Sequence, residues 1–134
     1  MPALALLLGV GLALPQGDAI AQSSMPYKVE TFVDGLENPW SMAFLPDGRM
    51  LVTERSGALQ LISADGKTKT AITGLPAIDV RGQGGLLDVI LAKDFADSKQ
   101  IFFSYSEPAD GKNSTAVASA TLNDSKLDNV KVIF

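Results

Sequence analysis

Two largely apolar runs, residues 40–45 (WSMAFL) and Leu86–Leu91 (LLDVIL), begin 46 positions apart, and each opens a series of short strand-like segments cut by turns. After the first run, Pro46-Asp47-Gly48-Arg49 is a tight turn: proline sets φ at the first central position, and Asp and Gly tolerate the backbone angles of the next two. Met50–Glu54 is the return strand, Ser56-Gly57 turns, Ala58–Ile62 alternates, residues 64–67 turn again, and residues 68–73 form a polar fourth strand. The layout then repeats. Leu86–Leu91 is followed by a longer connection at 92–98, a return strand at 100–105 and a polar loop at 107–113 with Pro108 and Gly111. A long third strand at 114–122 and the start of a fourth at 129–134 complete the second copy. No segment beyond the N-terminal leader shows a 3.6-residue period, so the expected fold class is all-β.

Four short antiparallel strands behind an apolar first strand, repeated every 40 to 50 residues, are the pattern of β-propeller blades. A β-sandwich also gives short strands and frequent turns. The repeat period and the apolar first strands favour blades, whose innermost strands line a crowded channel and are covered on both faces. Residues 27–33 alternate well enough for one more strand, with Asp34-Gly35 behind it. Propellers close with roughly four to eight blades, and two blades leave unpaired edges. The expectation is therefore an N-terminal portion of a larger propeller, about two blades plus a closing strand at 27–33 that pairs with the last blade of the ring.

The chain of 134 residues carries a net charge of −4 and neither cysteine nor histidine. The acidic balance and scattered Lys and Arg give no footprint for nucleic acid or an anionic membrane. Without cysteine there is no disulfide framework, thiolate zinc site or cysteine nucleophile. Without histidine there is no Ser-His-Asp triad and no imidazole base within these residues.

Residues 3–14 (ALALLLGVGLAL) form a twelve-residue apolar run, too short to span a bilayer and suited to the core of a signal peptide. Pro15 and Gly17 break it, and Ala19-Ile20-Ala21 offers small residues for cleavage before Gln22. No Lys or Arg precedes Lys28, so the basic n-region is missing. The expected organisation is a signal peptide at 1–21, a propeller portion at 22–134 and export to the periplasm.

The glycine-rich turn Arg81-Gly82-Gln83-Gly84-Gly85 precedes the second apolar strand, and glycine lets backbone come close to another group and accept φ > 0. Residues 38–55 (NPWSMAFLPDGRMLVTER) closely resemble the opening blade of the soluble pyrroloquinoline-quinone (PQQ)-dependent sugar dehydrogenases, the glucose/sorbosone and aldose sugar dehydrogenase family. Residues 81–89 (RGQGGLLDV), Asp94-Phe95 and Phe103-Ser104-Tyr105-Ser106 resemble its second blade, and 115–118 and 132–134 also fit. PDGR or GQGG alone is a weak signal. Both in order, at blade spacing and behind an export signal, make a strong one, covering about residues 28–134.

The resemblance implies an exported six-bladed propeller that binds PQQ over its channel, with calcium beneath the cofactor. It implies oxidation of the anomeric hydroxyl of an aldose to a lactone, with a histidine base and an artificial or respiratory electron acceptor. Gln83 is implied to contact the quinone, its amide donating to an oxygen, with Gly82 and Gly84 keeping the turn low enough for contact. Arg81 has two readings, attraction of the anionic cofactor or a surface salt bridge. Asp88 interrupts an apolar strand and calls for a hydrogen bond to the neighbouring blade. Glu54 and Arg55 read as a charged strand end and Trp40 as core. The family's catalytic histidine, quinone-clamping basic residues and calcium ligands belong to later parts of its sequence, so this piece is expected to be inactive alone. The alternative is a propeller of the same lineage that serves as a non-catalytic binding scaffold. A lactonase-like propeller would want metal-binding carboxylates and gives no reason for the GQGG turn.

Overall fold

Turn residues cut the chain from Pro39 to Val132 into two antiparallel meanders. The computed structural model describes residues 26–134, and the expected signal peptide lies outside the described residues. Residues 26–30 are coil with an exposed Lys28–Glu30 ion pair. In the unit Thr31–Phe134, β1 (Pro39–Phe44), β2 (Met50–Glu54), β3 (Ala58–Ile62) and β4 (Lys69–Ile72) form one sheet in the order β1-β2-β3-β4. β5 (Leu86–Leu91), β6 (Gln100–Ala109), β7 (Lys112–Asn123) and β8 (Lys126–Val132) form a second in the order β5-β6-β7-β8, with one short helix, α1 (Phe95–Ser98), between β5 and β6. No helix among the described residues is long and apolar enough to cross a membrane.

The two sheets face each other across a shared core. Leu51, Leu59, Leu61 and Ile72 come from the first, and Val89, Ile101, Phe103 and Tyr105 from the second. On the second sheet, size alternates between neighbouring strands: Ile101 pairs with Ala120, Phe103 with Ala118, and Tyr105 with Ala116. Cross-strand partners stand about 5 Å apart and packed sheets about 10 Å apart. Each large side chain of β6 can therefore spread over an alanine of β7 without forcing the sheets apart. This explains the otherwise plain AVASA run of β7.

The sheets' other faces are apolar too. Trp40, Met42 and Phe44 are 56%, 61% and 64% exposed, which corrects the expectation that Trp40 is core and that β1 is covered on both faces. They project on the side of the first sheet away from the second, and no other sheet among the described residues lies over them. The strand expected at 27–33 has its expected partner in the last blade of a complete ring. Among the described residues, 27–33 join no ladder, and Val33 and Leu36 pack on Met50, Val52 and Ile62. Between residues 31–36 and β1 lies an apolar groove of about 600 Å³.

The loop expected at 107–113 is a hairpin. β6 and β7 pair as far as Ala109 and Lys112 around Asp110-Gly111, which take φ of 34° and 79°. Both central residues at positive φ make the tight turn whose twist matches its strands. Replacing Phe103 by alanine is expected to cost about 3–5 kcal/mol of unfolding free energy, measured as a lower urea midpoint with an unchanged slope.

Candidate functional site

The glycine-rich turn is held at its ends by one residue of β6. Asp79 N–H donates to the Ser106 carbonyl at 2.8 Å, and Ser106 N–H donates to the Gly85 carbonyl at 2.9 Å. Ser106 Oγ in turn accepts from Gly85 N–H at 3.3 Å. Within the turn, Gly84 N–H donates to the Arg81 carbonyl at 2.9 Å.

Geometry dictates glycine at two positions. A Cβ on Gly84 would lie 2.4 Å from the Asp79 carbonyl oxygen, and one on Gly85 would lie 2.1 Å from that of Arg55. Gly84 is therefore required by the folding of the turn on itself, and Gly85 by the close pass of the first sheet. Gly82 has open space around it. Between Gly82 and Gly84, Gln83 is exposed, and its amide makes no hydrogen bond to any described residue.

Arg81 is a salt-bridge residue. Its Nε donates to both Asp79 carboxylate oxygens at 3.0 and 2.9 Å, its Nη2 pairs with the same carboxylate, and its backbone N–H donates to Asp79 Oδ1 at 2.9 Å. The Asp79 side chain is 5% exposed and that of Arg81 is 63% exposed. The hydrogen bonds from Arg81, side chain first and backbone next, hold the Asp79 carboxyl down to about 2.

The first sheet supplies what the sequence did not reveal. Arg55, directly after β2, donates from Nη1 to the carbonyls of Gly82 and Gly84, at 2.9 and 3.2 Å. It thus grips both residues flanking Gln83, and is no simple charged strand end. Glu54 is buried and accepts from Glu37 N–H at 2.6 Å and Gln60 Nε2 at 2.8 Å. The expected partner of Asp88 is present: the Ser41 hydroxyl of the first sheet donates to its carboxylate. Beside it, the buried Thr53 hydroxyl donates to the Leu87 carbonyl at 2.5 Å and accepts from Ser41 N–H at 3.0 Å.

One buried group stands out in the core below. The Tyr105 hydroxyl has no hydrogen-bond partner among the described residues. Burial first, and the Glu107 carboxylate second, push its pKa up, so it stays a neutral donor. No cluster of three metal-ligating His, Cys, Asp or Glu occurs among the described residues.

The family model described as Glucose / Sorbosone dehydrogenase matches residues 36–134. Over 110 residues the chain is 46% identical to the aldose sugar dehydrogenase YliI of Escherichia coli (strain K12), covering 79% of this chain and 30% of that protein. A crystal structure of a glucose dehydrogenase superposes with a TM-score of 0.76 at 46% identity, covering 81% of this chain and 33% of the other. A PQQ-bound aldose sugar dehydrogenase from Streptomyces coelicolor shares the fold, with a TM-score of 0.71 at 24% identity over 79% of this chain and 32% of its own. The chain thus spans about a third of the length of the proteins it matches.

The Asp79–Arg81 pair sets an acid limit on the turn. A carboxylate with a depressed folded pKa contributes stability above its unfolded value, about 3.9, and loses it as pH falls toward about 2. The Asp79 carboxyl carbon, followed by ¹³C NMR, should titrate near pH 2 in the folded protein. Arg81→Ala should return that midpoint toward the ordinary carboxylate range.

Proposed function

Since the chain belongs to the glucose/sorbosone dehydrogenase family, we propose that it is the amino-terminal part of a periplasmic PQQ-dependent dehydrogenase of aldose sugars. In this reading residues 1–21 are a signal peptide, and 22–134 contribute the first two blades of the ring. The observation that carries the site is Gln83. It is an exposed amide without a hydrogen-bond partner among the described residues, set on a turn held by Ser106, Asp79 and Arg55, with the guanidinium groups of Arg55 and Arg81 bound to the same turn.

That donor set suits an anionic, oxygen-rich quinone. The Gln83 amide can donate to a quinone oxygen or carboxylate, and the open space around Gly82 leaves room for a flat ring to approach. Arg81 is committed to Asp79, so its charge is largely neutralised locally, and Arg55 is the less compensated cation at the turn. When bound, PQQ supplies a two-electron acceptor for the hydride leaving the anomeric carbon of an aldose, which becomes a lactone. The chain's own part is to bind and orient. The base for the sugar hydroxyl and the ligands for calcium are assigned to the remainder of the protein, and the 134-residue piece alone is expected to be inactive.

The test uses the whole protein. Apo-protein is titrated with PQQ in the presence of calcium, and aldose-dependent reduction of an artificial dye is followed. Gln83→Ala is expected to weaken PQQ binding about tenfold or more, the size of one lost hydrogen bond to a charged group. A folded protein that neither binds PQQ nor reduces dye would leave the non-catalytic scaffold as the reading.

A further inference from the structure

Glycines make the 81–85 turn possible but do not hold it. A residue without a Cβ reaches unusual backbone angles easily and loses more freedom than any other when fixed in one of them. Gln83 is flanked by two such residues, and its own side chain bonds to none of the described residues. Its direction is therefore set by the course of the backbone on either side, through Gly82 and Gly84.

The carbonyls of both glycines point to one nitrogen. Arg55 Nη1 lies 2.9 Å from the Gly82 oxygen and 3.2 Å from the Gly84 oxygen. Arg55 is itself well anchored: its N–H donates to the Asn38 carbonyl at 3.1 Å, and its own carbonyl abuts Gly85. Of the remaining ties, the Gly84 N–H to Arg81 carbonyl bond closes the turn on itself. Ser106 fixes its two ends, and Asp79 fixes Arg81. Among the side-chain hydrogen bonds of the described residues, those of Arg55 alone reach the backbone on both sides of Gln83.

We propose that Arg55 is the positioning residue for Gln83, a clamp from the first sheet that presets the amide for its ligand. The mechanical part stands on the geometry; its consequence for cofactor binding rests on the proposed contact between Gln83 and PQQ. The clamp is specific to arginine. A guanidinium stays charged and holds its donors in a rigid plane, whereas a lysine ammonium is a point charge on a flexible stem. Preorganisation of this kind raises affinity by removing the ordering cost that binding would otherwise bear.

Two readouts on the whole protein test the clamp. The first is amide hydrogen exchange without cofactor. Arg55→Met keeps the side-chain stem and removes the donors; it should speed exchange of the Gly84 N–H by about tenfold to a hundredfold and leave the core strand β6 unchanged. Unchanged exchange at Gly84 overturns the proposal, whatever the cofactor does.

The second is PQQ affinity in a double-mutant cycle. Arg55→Met and Gln83→Ala should each weaken binding, and the double variant should bind no more weakly than Gln83→Ala, because Arg55 acts through Gln83. Arg55→Lys should recover little. Additive losses, or wild-type affinity in Arg55→Lys, would mean that Arg55 attracts the anion by charge alone and would overturn the positioning role. If Gln83→Ala leaves PQQ affinity intact while Gly84 exchange still rises in Arg55→Met, the clamp holds and it is the quinone contact of Gln83 that fails.

Discussion

The junction between the two sheets carries the candidate site, and its key element is a buried hydroxyl. Thr53 is fully enclosed, donates to the Leu87 carbonyl and accepts from Ser41 N–H. A hydroxyl has one proton, so donation to Leu87 fixes its rotor and leaves its lone pairs for Ser41. Removing such a partner leaves buried backbone groups unpaired, at about 1–3 kcal/mol each. The Thr53 bond ties β2 to β5 at the irregular step between Leu86 and Val89, where the second sheet's ladder loses register. Ser41 to Asp88 on one side and Arg55 to the glycine turn on the other continue the same polar seam. Displacing one sheet relative to the other would break all three at once.

That seam divides the labour between the sheets. The second sheet supplies the turn and its exposed amide, and the first sheet supplies the groups that hold it. Neither sheet alone would define where Gln83 points. The core below serves the same end. The pairing of large β6 residues with alanines on β7 lets the sheets approach closely enough for the 2.5 Å contact of Thr53 and the near-contact of Gly85 with Arg55.

How much of this was legible in the sequence depends on the range of the interaction. β2, β3 and β5 occur with the expected bounds, because Pro, Gly and Asp turn residues punctuate the chain on both sides of β2 and β3 and glycines precede β5. The partner of Asp88 was foreseeable from its place in an apolar strand, where a covered carboxylate calls for a bond, although the side chain itself is exposed. The 107–113 segment misled because Pro108 and Gly111 are usually loop residues. Pro108 is tolerated in β6 because β5 reaches only to Tyr105 through Leu86, so one side of the strand has no ladder to lose there. Residues 27–33 are a different case. Alternation reports that one side is apolar, and the strand expected to pair with it belongs to the last blade of a complete ring; in this chain Val33 packs on the face of the first sheet. Arg55 carries no local signal at all: its two acceptors lie 27 and 29 positions away, and only the fold brings them together.

The outer faces add a physical argument for the proposed place of these sheets in a larger ring. A sheet with both faces apolar needs a layer on each side. The first sheet turns Trp40, Met42 and Phe44 outward beside a groove of about 600 Å³. The second turns Ile90 and Phe102 outward as a cross-strand pair, along a shallower groove with Ser104 and Val117. Monomeric surfaces seldom expose such stripes without a partner. Two blades in succession would have this property: each shares one face with the other and offers its second face to the next sheet in the ring. The same geometry accounts for Trp40, whose burial was expected from its place at the start of an inner strand. The expectation of an apolar environment and the observed exposure are reconciled if that face meets the sheet that precedes β1 in the closed propeller.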